Sequence, residues 1–569
     1  MIDASAPGPG ISPFHLEATQ SKHMRLTDLT VHIPATLRSS RALSQEPSPA
    51  RWRTIEFRFY AVLVSIAVLY MAWIPITLSS STHPNYPRFR SRLSKGWMFG
   101  RLVDNSDAQY RGFRNNFIPL VLGAGVFLLA KFVRTRLHGA AKDNLYLLRF
   151  NCVASIVMLL ALHGTSILKI LPILTANYLI SKTCGASKAG PICSWIFNVV
   201  VIFMNDWHSG YKFGNIMPSL AFLDSLEGIY PRWHVTFNIT MLRLVSFSMD
   251  YYWACNNPGP LENVAELNEK HRQTISHPEP IYSYLNYISY VLYPPLYLAG
   301  PIMTFNDYIW QHRKPLNIPR AAVLSYLFRF LFTMLTMEFI LHFMYVVAMK
   351  DTKAWMGDTP TQIALIGFWN LIIVWLKLMI FWRFFRLWAM AAGIEAPENM
   401  IRCMANNYST FGFWRSWHRS YNLWLTRYIY VPLGGRDTLI INTLLVFTFV
   451  ALWHDLTFRL LAWGWLVSLF IVPELIARYA LPESKYGQEP WYRHVCAVGA
   501  VCNMLMMATA NLVGFVVGID GTGYFVQQVF GTAGGWQFVF GAFVSMYAAA
   551  HLMFEYREEE KRNGIIRKC

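Results

Sequence analysis

Two histidines stand out in a chain poor in charge. His454 lies near the end of an apolar run, LIINTLLVFTFVALWHD (Leu439 to Asp455), and His418 lies in FWRSWHRSYNLWLTRYIYVPLGG (Phe413 to Gly435). Carrying an imidazole into or against hydrocarbon is costly, so the neutral expectation for such a run is no ionisable group. An imidazole that titrates near neutrality takes a proton from a hydroxyl as that oxygen attacks an acyl carbonyl, then returns it to the leaving group. A second polar group nearby binds the developing oxyanion or orients the acceptor. Singly, each histidine reads as a buried, hydrogen-bonded structural group. As a pair in consecutive elements they point to acyl transfer, with His454 as base, provided the chain reverses at Pro432 to Gly435.

The elements around them set that condition. Trp414, Trp417, Tyr421, Trp424 and Tyr428 recur at steps of three and four, which predicts one aromatic stripe along a helix. A neighbouring face carries Arg415, His418, Arg419 and Asn422. Pro432 and Gly434-Gly435 stop this helix, which then lies at the interface or dips part-way into the bilayer. The bland alternative for the stripe is ordinary packing or interfacial anchoring.

Composition supplies the setting. Of 569 residues 54% are hydrophobic and only 14% charged, little more than half the roughly 25% usual in soluble domains. The fold class expected is an all-α polytopic membrane protein with about eleven to thirteen transmembrane and re-entrant helices. Residues 1–54 read as a disordered basic tail, 55–555 as one membrane domain whose first span (Ile55 to Ile76) serves as the entry signal, and 556–569 as a short charged tail. The net charge of +18 suits attraction to anionic headgroups, not nucleic acid. Basic residues flank both ends of the first span, so orientation stays open. The eight cysteines include no CxxC pair, and neither an H-E-x-x-H pattern nor any other zinc ligand set is seen, so no metal is expected. Cys184 and Cys193 read equally as a bridge or as two free thiols. Asn407 heads a glycosylation sequon beside an expected membrane helix, where a glycan has little access. Arg243 and Asp250 share a helix face and are expected to pair, as are Glu338 and His342.

The run FWRSWHRSYNLWLTRYIYVPLGG followed by VALWHD resembles the signature region of the membrane-bound O-acyltransferase superfamily. YPPLYLAGPIMTFNDY (Tyr293 to Tyr308) and FNITMLRLVSFSMDYYW (Phe237 to Trp253) resemble its fungal glycerol-uptake-protein branch, related to Hedgehog acyltransferase. The resemblance implies a many-helix body enclosing a tunnel, with acyl-CoA as co-substrate entering from the cytosolic side. It maps the family histidine to His454, and the second active-site position, Asn or Asp in many relatives, to His418. Cys403 falls where Hedgehog acyltransferase has a haem-ligating cysteine; the alternative is a buried thiol. It further implies a multi-pass protein of the endoplasmic reticulum, or else the plasma membrane, that acylates the lyso-phosphatidylinositol of a glycosylphosphatidylinositol (GPI) anchor. Its partners would then be membrane lipids, acyl-CoA and a lyso-lipid or GPI-anchored acceptor. In that setting Arg415, Arg419 and Arg427 suit phosphates of acyl-CoA or of the inositol lipid, or else anchor at headgroups. Trp414, Trp417 and Asn422 complete the expected substrate-binding set. Acylation of a protein acceptor, as by Hedgehog acyltransferase, is the alternative within the class. A glycerol transporter is the rival outside it, although the repeated halves usual in transporters are not seen.

Overall fold

The computed structural model describes residues 49–139, 143–259, 267–435, 437–516, 518–565 and 567. Most of the expected N-terminal tail and Cys569 therefore lie outside the described residues. Helices carry almost everything. The principal ones, in chain order, are α1 (Ile55–Leu78), α2 (Phe117–His138), α3 (Tyr146–His163), α4 (Ile167–Cys184), α5 (Ala189–Trp207), α6 (Trp233–Asn256), α7 (Glu269–Thr274), α8 (Tyr284–Val291), α9 (Phe305–Arg313) and α10 (Arg320–Phe343). They continue as α11 (Pro360–Ala391), α12 (Thr410–Ser416), α13 (Arg419–Leu425), α14 (Leu439–His454), α15 (Phe458–Ala480), α16 (Tyr492–Asn511), α17 (Gly518–Gly531) and α18 (Ala533–Arg562). The strands among the described residues are β1 (Leu93–Lys95) and β2 (Leu102–Asp104), an antiparallel hairpin pairing Ser94 with Val103.

Nine helical stretches among the described residues are long and apolar enough to cross a membrane, so this is an all-α, multi-pass membrane protein. Their outward faces are apolar: Ile118, Leu122 and Leu129 of α2 are all well exposed, as a hydrocarbon surround requires. α11 is the central pillar. Thr359 and Gln362 form a capping box over its first turn, Pro360 occupies the first turn where its missing N–H costs nothing, and the helix is buried along most of its length. α6 is too polar to count by composition, yet it too is buried through most of its residues. The apolar stretch 283–303 is broken: α8 ends at Val291, and Pro294-Pro295 start a separate turn.

Two expected pairings are corrected. Arg243 and Asp250 do not pair. Arg243 donates to the carbonyls of Val291 (2.8 Å) and Leu296, while Asp250 accepts from Arg427 at 2.8 Å, Tyr428 at 3.1 Å and the Asn306 amide at 3.2 Å. Glu338 and His342 meet only through the backbone: His342 Nδ1 contacts the Glu338 carbonyl at 2.6 Å. The Glu338 carboxylate instead gathers Trp97 and Tyr110, at 2.9 and 2.7 Å. Cys184 and Cys193 are free thiols. Asn407 is buried, donating to the Cys403 carbonyl at 2.9 Å. Residues 556–562, assigned to a tail, continue α18 because their charges are paired: Glu560 receives Arg402 at 3.0 Å, and Arg562 reaches both Glu555 and Glu559.

Candidate active site

His454 is the last residue of α14. Asn442, near the start of that helix, donates to the carbonyls of Leu433 (3.2 Å) and Gly435 (3.0 Å). That bond pair closes the chain reversal, where Gly434 and Gly435 take φ of 99° and 60°, values a side chain would strain. The far end of α14 is pinned to α6. Asn238 Nδ2 donates to the Trp453 carbonyl at 3.0 Å, and the Trp453 indole donates back to the Asn238 carbonyl at 2.8 Å. The Trp453 ring lies 4.9 Å from the His454 ring, and that of Trp463 lies 6.3 Å from it.

His418 sits at a break. The single helix expected over the aromatic stripe is instead α12, a turn at Trp417-His418, α13, and a π-turn over Thr426–Tyr430. His418 adopts φ 46° and ψ 49°, left-handed, and the chain on both sides is clamped. Met400 bridges Trp417, the Asn399 carbonyl accepts from the Arg419 amide at 3.1 Å, and its side-chain oxygen accepts from the Ser420 amide at 3.0 Å. The break turns the imidazole onto Trp382 of α11, stacked at 4.5 Å. From His418 the rings run continuously to His454: Tyr421 at 5.1 Å, Tyr421 to Trp453 at 4.6 Å, then His454.

Both histidines line one cavity of about 1800 Å³, well above the ≈ 300–1,000 Å³ that holds a drug-sized ligand. Its walls come from α1, α11, α13, α14, α15, α16 and α18 and are mostly apolar. His454 is exposed to it. Among the described residues neither imidazole has a hydrogen-bond partner. The Tyr421 hydroxyl and the Trp414 indole N–H, in the same wall, are also buried without a partner. Such groups cost about 1–3 kcal/mol when left unpaired, and a ligand with an acceptor oxygen relieves that cost.

The remaining sequence candidates divide. Trp414, Trp417, Arg415 and Asn422 line the cavity. Arg415 also opens onto an adjoining chamber of about 360 Å³, where Arg478 and Arg557 join it and which shares Asn407 and Phe411 with the main cavity. Arg419 and Arg427 line neither: Arg419 binds Glu269 at 2.8 Å, and Arg427 binds Asp250 while lying 4.4 Å over the Trp253 ring. Cys403 lines neither chamber and packs against the hydrophobic core. Sequence reasoning missed Asn238, Trp382, Trp453, Trp463, Arg478 and Arg557. Trp453 was visible as the neighbour of His454; the others come from remote elements with no local mark.

The family model for "MBOAT, membrane-bound O-acyltransferase family" matches residues 192–517. The chain is 46% identical to "Membrane-bound O-acyltransferase GUP1" of Saccharomyces cerevisiae, over 92% of this chain and 95% of that protein. It is 40% identical to the gup1 protein of Schizosaccharomyces pombe over 97% of each. A more distant likeness, 26% identity over 52% of this chain and 62% of the relative, is to "Protein-cysteine N-palmitoyltransferase HHAT" of Mus musculus. The chain thus belongs to the membrane-bound O-acyltransferase family.

Proposed function

We propose that the protein moves a long acyl chain from acyl-CoA to a lipid hydroxyl, with the lyso-phosphatidylinositol of a GPI anchor as acceptor, in the membrane of the endoplasmic reticulum. The observation that carries this reading is the pair of imidazoles without hydrogen-bond partners on one large apolar cavity. His454 takes the proton of the acceptor hydroxyl as its oxygen attacks the thioester carbonyl. The tetrahedral intermediate collapses with loss of the C–S bond, and the proton passes to the departing thiolate. Tyr421 and Trp414 offer donors for the oxyanion. His418, held by its turn and by Trp382, orients the acceptor. Arg415, Arg478 and Arg557 line a chamber whose positive charge suits phosphate, although Arg478 is already paired with Glu474 at 2.7 Å and Arg557 with Asn406 at 2.7 Å. Arg419 and Arg427 serve this site by holding their elements in place.

The test uses purified full-length protein in liposomes, with labelled long-chain acyl-CoA and lyso-phosphatidylinositol. Labelled two-chain phosphatidylinositol is expected, with His454→Ala lowering its rate by about 10²–10⁴ while the protein stays monodisperse. Undiminished product from that variant would remove His454 as base. Product on a peptide with an N-terminal cysteine, and none on lyso-lipid, would move the reading to protein acylation of the kind that the mouse relative's name describes.

A further inference from the structure

Far from the two histidines in sequence, α1, α16 and α18 bring together Glu56, His494 and His551. One ligand atom from each lies within 4.8 Å of the others. Their surroundings resemble a prepared ligand set more than a tangle of surface charge. Arg493 and the Tyr60 hydroxyl (3.0 Å) both engage Oε1 of Glu56, leaving Oε2 for another partner. His494 uses Nδ1 toward the Tyr547 hydroxyl at 2.6 Å, which leaves Nε2. His551 is 1% exposed, and its Nε2 is buried with no hydrogen-bond partner. Its ring is fixed by stacking on Tyr60 at 5.0 Å with 9° between planes, and by Tyr547 at 4.8 Å. Glu56 and His494 are thus each oriented by a hydrogen bond on one atom with another atom to offer, the pattern by which outer partners set ligand direction, while His551 is oriented by ring packing.

We propose that Glu56, His494 and His551 bind a divalent transition-metal cation, with zinc the best match, and that the ion clasps the first span to the last two long helices. Two imidazoles and one carboxylate select this class over calcium or magnesium, which take oxygen ligands. Three protein ligands leave at least one position for water. The sequence, which lacks CxxC and H-E-x-x-H spacings, gives no sign of this site, since Glu56 and the histidines sit at opposite ends of the chain. The clasp has a structural consequence at the cavity. Leu63 of α1, Met504 of α16 and Met546 of α18 wall it on this side, so the ion would hold that wall shut against the lateral pressure of lipid.

The test is metal analysis of the purified full-length protein in detergent after dialysis against metal-depleted buffer with and without added zinc. About one zinc per chain is expected, with a d–d absorption band on replacement by cobalt(II) and a lower Tm in chelator. His494→Gln and His551→Gln are expected to bring zinc content toward zero and make Tm insensitive to chelator, and Tyr547→Phe to weaken binding by about 10–100-fold. If wild-type protein retains no zinc, shows no cobalt band and gains no Tm on zinc titration, the site is a plain polar contact. Unchanged zinc content in the His494→Gln, His551→Gln double variant would likewise overturn the assignment. The wild-type measurements decide the matter even where a variant fails to fold.

Discussion

His418 is held in a left-handed backbone, φ 46°, that costs a residue with a Cβ on the order of 1–3 kcal/mol and persists where the surroundings over-determine it. Here the Asn399 clamp and the Trp382 stack do so. Asparagine tolerates this region better than most residues because its short polar side chain bonds locally, whereas a β-branched side chain does not. His418→Asn is therefore expected to keep the fold and a measurable share of acyl transfer. His418→Val is expected to lower stability by about 1–3 kcal/mol and to abolish product. Thermal unfolding and the liposome assay, run side by side, read the two effects separately. Equal stability of the two variants would show that the turn, not the side chain, sets the conformation. The residue that sequence reading found most easily was His454, because an imidazole in an apolar run announces itself. Tyr421 was visible only as an aromatic; that its hydroxyl lacks a partner is a fact of packing.

At the scale of elements, long apolar spans were legible because hydrocarbon imposes length and composition on each segment separately. The break between α12 and α13 was not. The three-and-four spacing of Trp414, Trp417, Tyr421, Trp424 and Tyr428 continues straight across it, and a left-handed residue leaves no trace in that rhythm. Ion pairing was misread for a related reason. Arg243 and Asp250 share a helix face, but Asp250 is 0% exposed and turns to Arg427 of a distant element. Removing one partner of a buried pair leaves an uncompensated charge and costs about 3–5 kcal/mol, so Arg427→Ala is expected to lower Tm sharply, more than a loss of phosphate contact would explain. A Tm equal to wild type, with weakened acyl-CoA binding, would return Arg427 to the substrate. Asn238→Ala tests the other joint. It removes one of the two bonds between α6 and the end of α14, worth about 1 kcal/mol in stability, but a misplacement of His454 of order 1 Å costs up to about a hundredfold in rate. Turnover is expected to fall far more than Tm.

At the scale of the whole molecule, membrane-crossing helices with apolar outward faces enclose one large cavity that holds both histidines. The cavity extends from the histidines toward α1 and α18, where Leu63, Ala67 and Tyr70 face Gly534, Gly541, Ala542 and Ser545. Small residues on the α18 side keep this limb wide. A Cβ added at Gly541, which lines the cavity, meets no atom within 4 Å, so a side chain there has open space and presses on no neighbouring helix. Gly367 and Gly514 behave differently, since their added Cβ would press on Leu512 at 2.8 Å and Trp463 at 2.7 Å. Substitution at Gly541 is thus a probe of volume with little penalty to folding. If the limb holds the acyl chain, Gly541→Phe is expected to lower transfer from the longest acyl-CoA donors while sparing short ones, with Tm nearly unchanged. Measuring product across a series of donor lengths, with wild type and variant in the same liposomes, gives a shifted length profile as the expected result. A uniform fall at every length would place the acyl chain elsewhere and leave this limb to the acceptor's own hydrocarbon.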